Sequence, residues 1–215
     1  MRTRLSNAST LVTAAGDLSP IEAALMDICN VLHELTAAGE TDDDLIERAG
    51  ILLDAYETSD GEGHPNAPWA VPNQRALVAS ASGHLEDAIA LELQALDHAD
   101  TPRRLEISLG NLCDRCIRIE RYEDAAAFFL EAEQVAPHSI PVLMTGAQAL
   151  ALAGHVTEAN RLFGHLCEQA RLDPALLRPD GTLNAYLCHE SRLVRLAPDL
   201  PALTDLLALR EEVTS

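Results

Sequence analysis

"RYEDAAAFFLEAEQVAP", residues 121–137, decides how the chain is read. Its core, Tyr122-Glu123-Asp124-Ala125, has a counterpart upstream in Leu85-Glu86-Asp87-Ala88 and another downstream in Val156-Thr157-Glu158-Ala159. Ala125 and Ala159 are 34 residues apart, as are Phe129 and Phe163, whereas Ala88 and Ala125 are 37 apart. Recurrence at a fixed period of this size marks stacked supersecondary units, and 34 residues suits a helix–turn–helix.

The register extends outward. With Glu106 as position 1, the middle unit places Leu109 at 4, Leu112 at 7, Cys113 at 8, Cys116 at 11, Tyr122 at 17, Ala125 at 20, Phe129 at 24, Ala132 at 27 and Pro137 at 32. The next unit, from Ile140, has Leu143, Ala147, Leu150, Gly154, Ala159 and Phe163 at 4, 8, 11, 15, 20 and 24. The preceding unit, from Trp69, has Ala76, Ala79, Gly83, Ala88 and Ala95 at 8, 11, 15, 20 and 27. It departs at 24, where Glu92 stands in place of an aromatic, and three extra residues near 99–105 predict a longer junction with the middle unit. Small side chains at 8 and 20 let paired helix axes approach to roughly 8–10 Å. One such hairpin cannot bury its apolar face alone, so neighbours must stack.

Over residues 69–173 this pattern resembles the tetratricopeptide repeat family. The resemblance implies an all-α chain of antiparallel hairpins stacked as a right-handed superhelix, an α-solenoid, with helical caps at both ends. It also implies a binding role for the concave face, lined by the first helix of each repeat. Carried over, that face takes Asn73, Gln74 and Leu77 from the first repeat, Asn111, Asp114 and Arg118 from the second, and Thr145 and Gln148 from the third. Some family members clamp a peptide carboxylate with Lys, Asn and Arg. Asn111 matches one such place, but Pro141 and Thr145 stand where basic residues would be, so a carboxylate clamp is not expected.

The rest of the chain also reads as helix. Hydrophobic residues make up 47% but aromatics only 3%, so the apolar content is dominated by helix-forming Ala and Leu rather than strand formers. Ser19-Pro20 signals a helix start, Ile21, Leu25, Ile28, Leu32 and Leu35 carry helical spacing, and Gly39 ends the element. Thr41 is the expected cap of a second helix whose first turn is Asp42, Asp43 and Asp44. The division is therefore 1–18 as an N-terminal segment of open order, 19–57 as a helical hairpin, 58–71 as a Gly/Pro-rich loop, 72–173 as three repeats and 174–215 as capping helices. Trp69, the sole tryptophan, is expected to cover the edge of a core. Thr182 is expected to cap a helix running to Leu196, with a last helix after Pro201.

Chemistry is sparse. Cys113-Asp114-Arg115-Cys116 has the spacing of half a zinc site or a redox pair. A zinc site needs a matching second pair, and a redox cysteine needs a lowered thiol pKa at a helix start. Neither condition is visible, so both cysteines are read as packing residues. His84 and His155 are read as turn residues, and no EF-hand spacing or Gly-rich phosphate loop occurs. No metal and no cofactor are expected.

The formal net charge is -19, and every basic residue is Arg. That field opposes nucleic acid and anionic membrane surfaces and favours basic partners. No run approaches the length of a membrane span. The expectation is a non-catalytic, cytoplasmic adaptor that binds a protein or peptide. The alternatives are an acidic chaperone resembling repeat-containing secretion chaperones, dimerising through helix 20–37, and a metal or redox protein built on Cys113 and Cys116.

Overall fold

A computed structural model describes residues 20–59, 61–189 and 191–214. The expectation for residues 1–18, and the Ser19 cap, lie outside these. Every regular element among the described residues is helical: α1 (Pro20–Ala38), α2 (Asp43–Thr58), α3 (Ala67–Ala81), α4 (Leu85–Asp97), α5 (Pro102–Arg118), α6 (Tyr122–Val135), α7 (Ile140–Leu152), α8 (Val156–Leu172), α9 (Thr182–His189), α10 (Ser191–Leu196) and α11 (Pro201–Thr214). Short 3-10 turns occupy Pro174–Leu177 and Ala197–Asp199. The chain divides into two compact units, and the division falls inside α5, after Ser108.

The three expected hairpins share one turn. Between α3 and α4, the His84 N–H donates to the Ala79 carbonyl at 2.9 Å; between α5 and α6, Arg121 donates to Cys116 at 2.9 Å; between α7 and α8, His155 donates to Leu150 at 2.8 Å. The residue before each donor has a positive φ: Gly83 at 79°, Glu120 at 62° and Gly154 at 86°. This six-to-one bond over a left-handed residue is a helix C-cap that suits glycine, so Glu120 holds its φ against the clash of its own Cβ. At position 8, Ala76, Cys113 and Ala147 are at most 1% exposed, as are Ala88, Ala125 and Ala159 at position 20.

In the N-terminal unit, α1 packs on α2, both pack on α3, and α3 packs on α4. Gly39, at φ 74°, ends α1, with the Glu40 N–H bonded to the Leu35 carbonyl. The cap of α2 is Asp42, whose carboxylate accepts the Leu45 N–H at 3.0 Å; Thr41 lies one residue too early to reach it. The Gly/Pro-rich loop is shorter than 58–71, because α3 begins at Ala67 with Pro68 in its first turn and Pro72 inside it. Proline fits a first turn readily, and at 72 it removes one helical N–H.

Trp69 stands within the core of this unit rather than at its edge, buried with Leu25, Cys29, Leu53, Ala70 and Ala95. Its indole N–H donates to the Ser108 hydroxyl at 3.1 Å, and the Arg104 guanidinium lies 5.2 Å from the ring centroid. The residues that lengthen the first repeat do not form a longer loop. They add a turn to the start of α5, where Pro102 takes the first helical position and the Thr101 hydroxyl accepts the Arg104 N–H at 3.3 Å. Arg104, on that added turn, also bonds Asn66 and Asp100.

In the C-terminal unit, α6 packs on α7, α7 on α8, and α8 on α11. Phe129 and Phe163 are buried. Gly146 faces the Phe129 ring so closely that a Cβ there would land on it. Asn160 accepts the Ala202 N–H at 2.9 Å and fixes the start of α11 on α8.

Candidate functional site

The expected binding face falls on α3, α5 and α7. On α3, the Asn73 side chain is buried and donates to Glu92 of α4 at 2.8 Å. Glu92 is the residue that breaks the aromatic pattern at position 24, and it is fully buried. A carboxylate in the core requires a hydrogen-bond donor, and Asn73 supplies one. Gln74 is 7% exposed and its Oε1 has no hydrogen-bond partner among the described residues. Leu77 packs against the core around Trp69.

On α5 and α7 the expected residues divide by burial. Asn111, Asp114, Arg118 and Thr145 are half-buried. Asp114 pairs with Arg192 of α10 at 3.5 Å. The Thr145 hydroxyl donates to the Pro141 carbonyl of its own helix at 2.9 Å, a bond that leaves its oxygen free to accept. Gln148 is 2% exposed, yet its Oε1 has no hydrogen-bond partner among the described residues. Asp114 and Gln148 are equivalent in the register, both at position 9 of their repeats. The residue that sequence reasoning missed is Arg192, which lies outside the repeats and carries no periodic signal.

The cysteine pair is part of the core. Cys113 and Cys116 are at most 1% exposed. Burial is the main cause that pushes the Cys113 thiol above its ordinary range, with the Asp114 carboxylate and the Cys116 thiol adding to it and Arg192 opposing it. A nucleophile or metal ligand needs the thiolate, which this surrounding disfavours. Among the described residues, no three His, Cys, Asp or Glu side chains are grouped to hold a metal ion. Helix α1, the dimerisation element of the chaperone alternative, buries Leu25, Cys29 and Leu32 within its own unit.

A separate groove of about 580 Å³ opens in the N-terminal unit, walled by Pro65, Pro68 and Pro72, Leu91, His64 and His98. Arg75, which also lines it, is bonded to Asp54 at 2.7 Å and to Glu57 at 2.6 Å. None of these residues was marked by spacing in the sequence. Among the described residues, no helix is long and apolar enough to cross a membrane. No protein-family model matches the chain, and no curated protein matches it in sequence.

Proposed function

We propose that the chain is a tetratricopeptide-like repeat protein that works without catalysis, binding a protein or peptide on the face of its first-of-pair helices. The repeated turn at Gly83, Glu120 and Gly154 and the buried small residues at positions 8 and 20 support the repeat reading. Stacking of the three hairpins as a solenoid, with α1–α2 and the C-terminal helices as caps, belongs to this reading.

The observation that carries the binding role is Gln148. A buried amide oxygen without a donor is costly and uncommon in a settled core. It sits at position 9, the place that Asp114 occupies one repeat earlier, with Asn111 and Thr145 assigned by register to the same expected face. A peptide laid along that face offers backbone N–H groups to such an oxygen. The net charge of -19 favours a basic ligand. The interior position and raised pKa of Cys113 favour a packing role over redox or metal chemistry.

Selection of short random peptides displayed on phage against the full chain tests the reading. Peptides rich in Arg are expected, and Gln148→Ala or Asp114→Arg is expected to weaken them by about tenfold, the effect of one good polar contact. No enrichment, or binders indifferent to both substitutions, would refute it.

A further inference from the structure

The face of α5 and α7 is already occupied. Helix α9 packs on α7, and three residues beyond its end Arg192 of α10 reaches Asp114 of α5. The α9–α10 segment, in its described residues, therefore touches both of these helices. It is held by apolar anchors, since Leu183, Leu187 and Leu193 are all buried.

The fit is incomplete in three respects. Gln148 Oε1 stays buried on α7 without a hydrogen-bond partner among the described residues. The Asp114–Arg192 pair is 3.5 Å apart, with the two side chains 42% and 23% exposed, and exposed pairs of this kind contribute little. Helices α9 and α10 have eight and six residues, too short to be stable without tertiary support, and Val194 on α10 is 70% exposed. Helix α9 is also tied to α11, where Arg210 donates to Asn184 at 2.8 Å and to Cys188 at 2.9 Å. Helix α11 is fixed independently on α8 through Ala202, whose N–H donates to Asn160 and whose carbonyl accepts from Cys167.

We propose that residues 182–196 are a replaceable occupant of this face, and that the face accepts in their place an arginine-bearing helical segment of another protein. The inference rests on the binding role given above. The incoming arginine meets Asp114, and a donor on the same segment satisfies Gln148 Oε1, which the internal occupant leaves unbonded. The overall negative charge steers such a segment in. The tether gives the internal copy a high effective concentration, so an external ligand succeeds only by making a better contact.

The probe is a fluorescein-labelled peptide of residues 182–196 carrying Cys188→Ser, followed by anisotropy on the full chain. It is expected to bind the Arg192→Glu chain up to about fivefold more tightly than the unmodified chain, the upper effect of one exposed ion pair. Arg192→Gln should lie between them. A probe that itself carries Arg192→Glu should lose its binding to the Arg192→Gln chain and regain it on an Asp114→Arg, Arg192→Gln chain. Equal affinity for all three forms, or no binding to any, overturns the proposal. Should the variants fail to fold by circular dichroism, the unmodified chain carries the test. Saturating probe must then speed hydrogen exchange over 182–196, and unchanged exchange overturns the proposal. Display-selected peptides that depend on Asp114, beside an indifferent Arg192 series, would leave the binding role standing and remove only the internal occupant.

Discussion

The α3–α4 and α7–α8 hairpins turn alike and fill differently. Each closes on a left-handed glycine, Gly83 or Gly154, with the same bond across it. Behind that shared turn, α3–α4 buries a polar pair, Asn73 and Glu92, beside Trp69. The α7–α8 hairpin buries Phe163, and through Gly146 it receives Phe129 from α6. Backbone geometry is thus the repeated quantity, while each core is solved locally by matched volumes or matched hydrogen bonds. Comparable cores can be broken by different chemistry.

The largest effect is expected at the glycine notch. Gly146→Val drives two methyl groups into the Phe129 ring and should cost about 3 kcal/mol in chemical denaturation, the upper end for overpacking. Phe129→Leu should recover part of this in the double variant, because contacting sites couple. Additive losses would show that the notch and the ring are independent.

Cys113→Leu comes next. It enlarges a position that is small in all three repeats, and the expected loss is about 1–3 kcal/mol. An unchanged melting temperature would contradict its place at the helix contact. On the polar side, Asn73→Ala removes a donor from buried Glu92 and should cost about 1–2 kcal/mol. No loss would mean that the α3–α4 core does not depend on this bond.

The turn itself offers a gain. Glu120→Gly relieves the positive φ of the middle repeat and should stabilise by about 0.5–1 kcal/mol, since glycine adopts that conformation without a Cβ clash. A loss would show that the middle turn differs from its two neighbours. The smallest effect lies in the thiols. Burial pushes the Cys29 thiol from 9 up to about 12, so the folded state holds the proton that the unfolded state releases. Its contribution is intact below pH 9 and declines as pH rises towards 12. Cys29→Ala should flatten that alkaline decline. At neutral pH a thiol reagent should modify exposed Cys188 rapidly and the four buried cysteines only on unfolding.

What could be read in advance was local. The turns, the small positions and the helix starts depend on neighbouring residues, and the spacing of Gly83, Gly154, Ala125 and Ala159 displays them. The left-handed Glu120 was legible only through register, because its side chain gives no hint of its backbone. The added turn of α5 had a usable signal, Thr101-Pro102, the same type of start as Ser19-Pro20. The Asn73–Glu92 pair and the Gly146 notch had none. Each is a compensation between helices, and a single sequence does not show which residues compensate. The site followed the same rule. Repeat register nominated Asp114 and Gln148, while Arg192, which pairs with Asp114, lies outside the repeat.

Native-state hydrogen exchange on the unmodified full chain, under increasing mild denaturant, probes the 182–196 segment most directly. Amides of 182–196 should open at a free energy well below that of α7 and α8, as a locally detachable element does. Opening of 182–196 only together with α7 and α8, at the same free energy, would make it an integral part of the core and contradict a replaceable occupant.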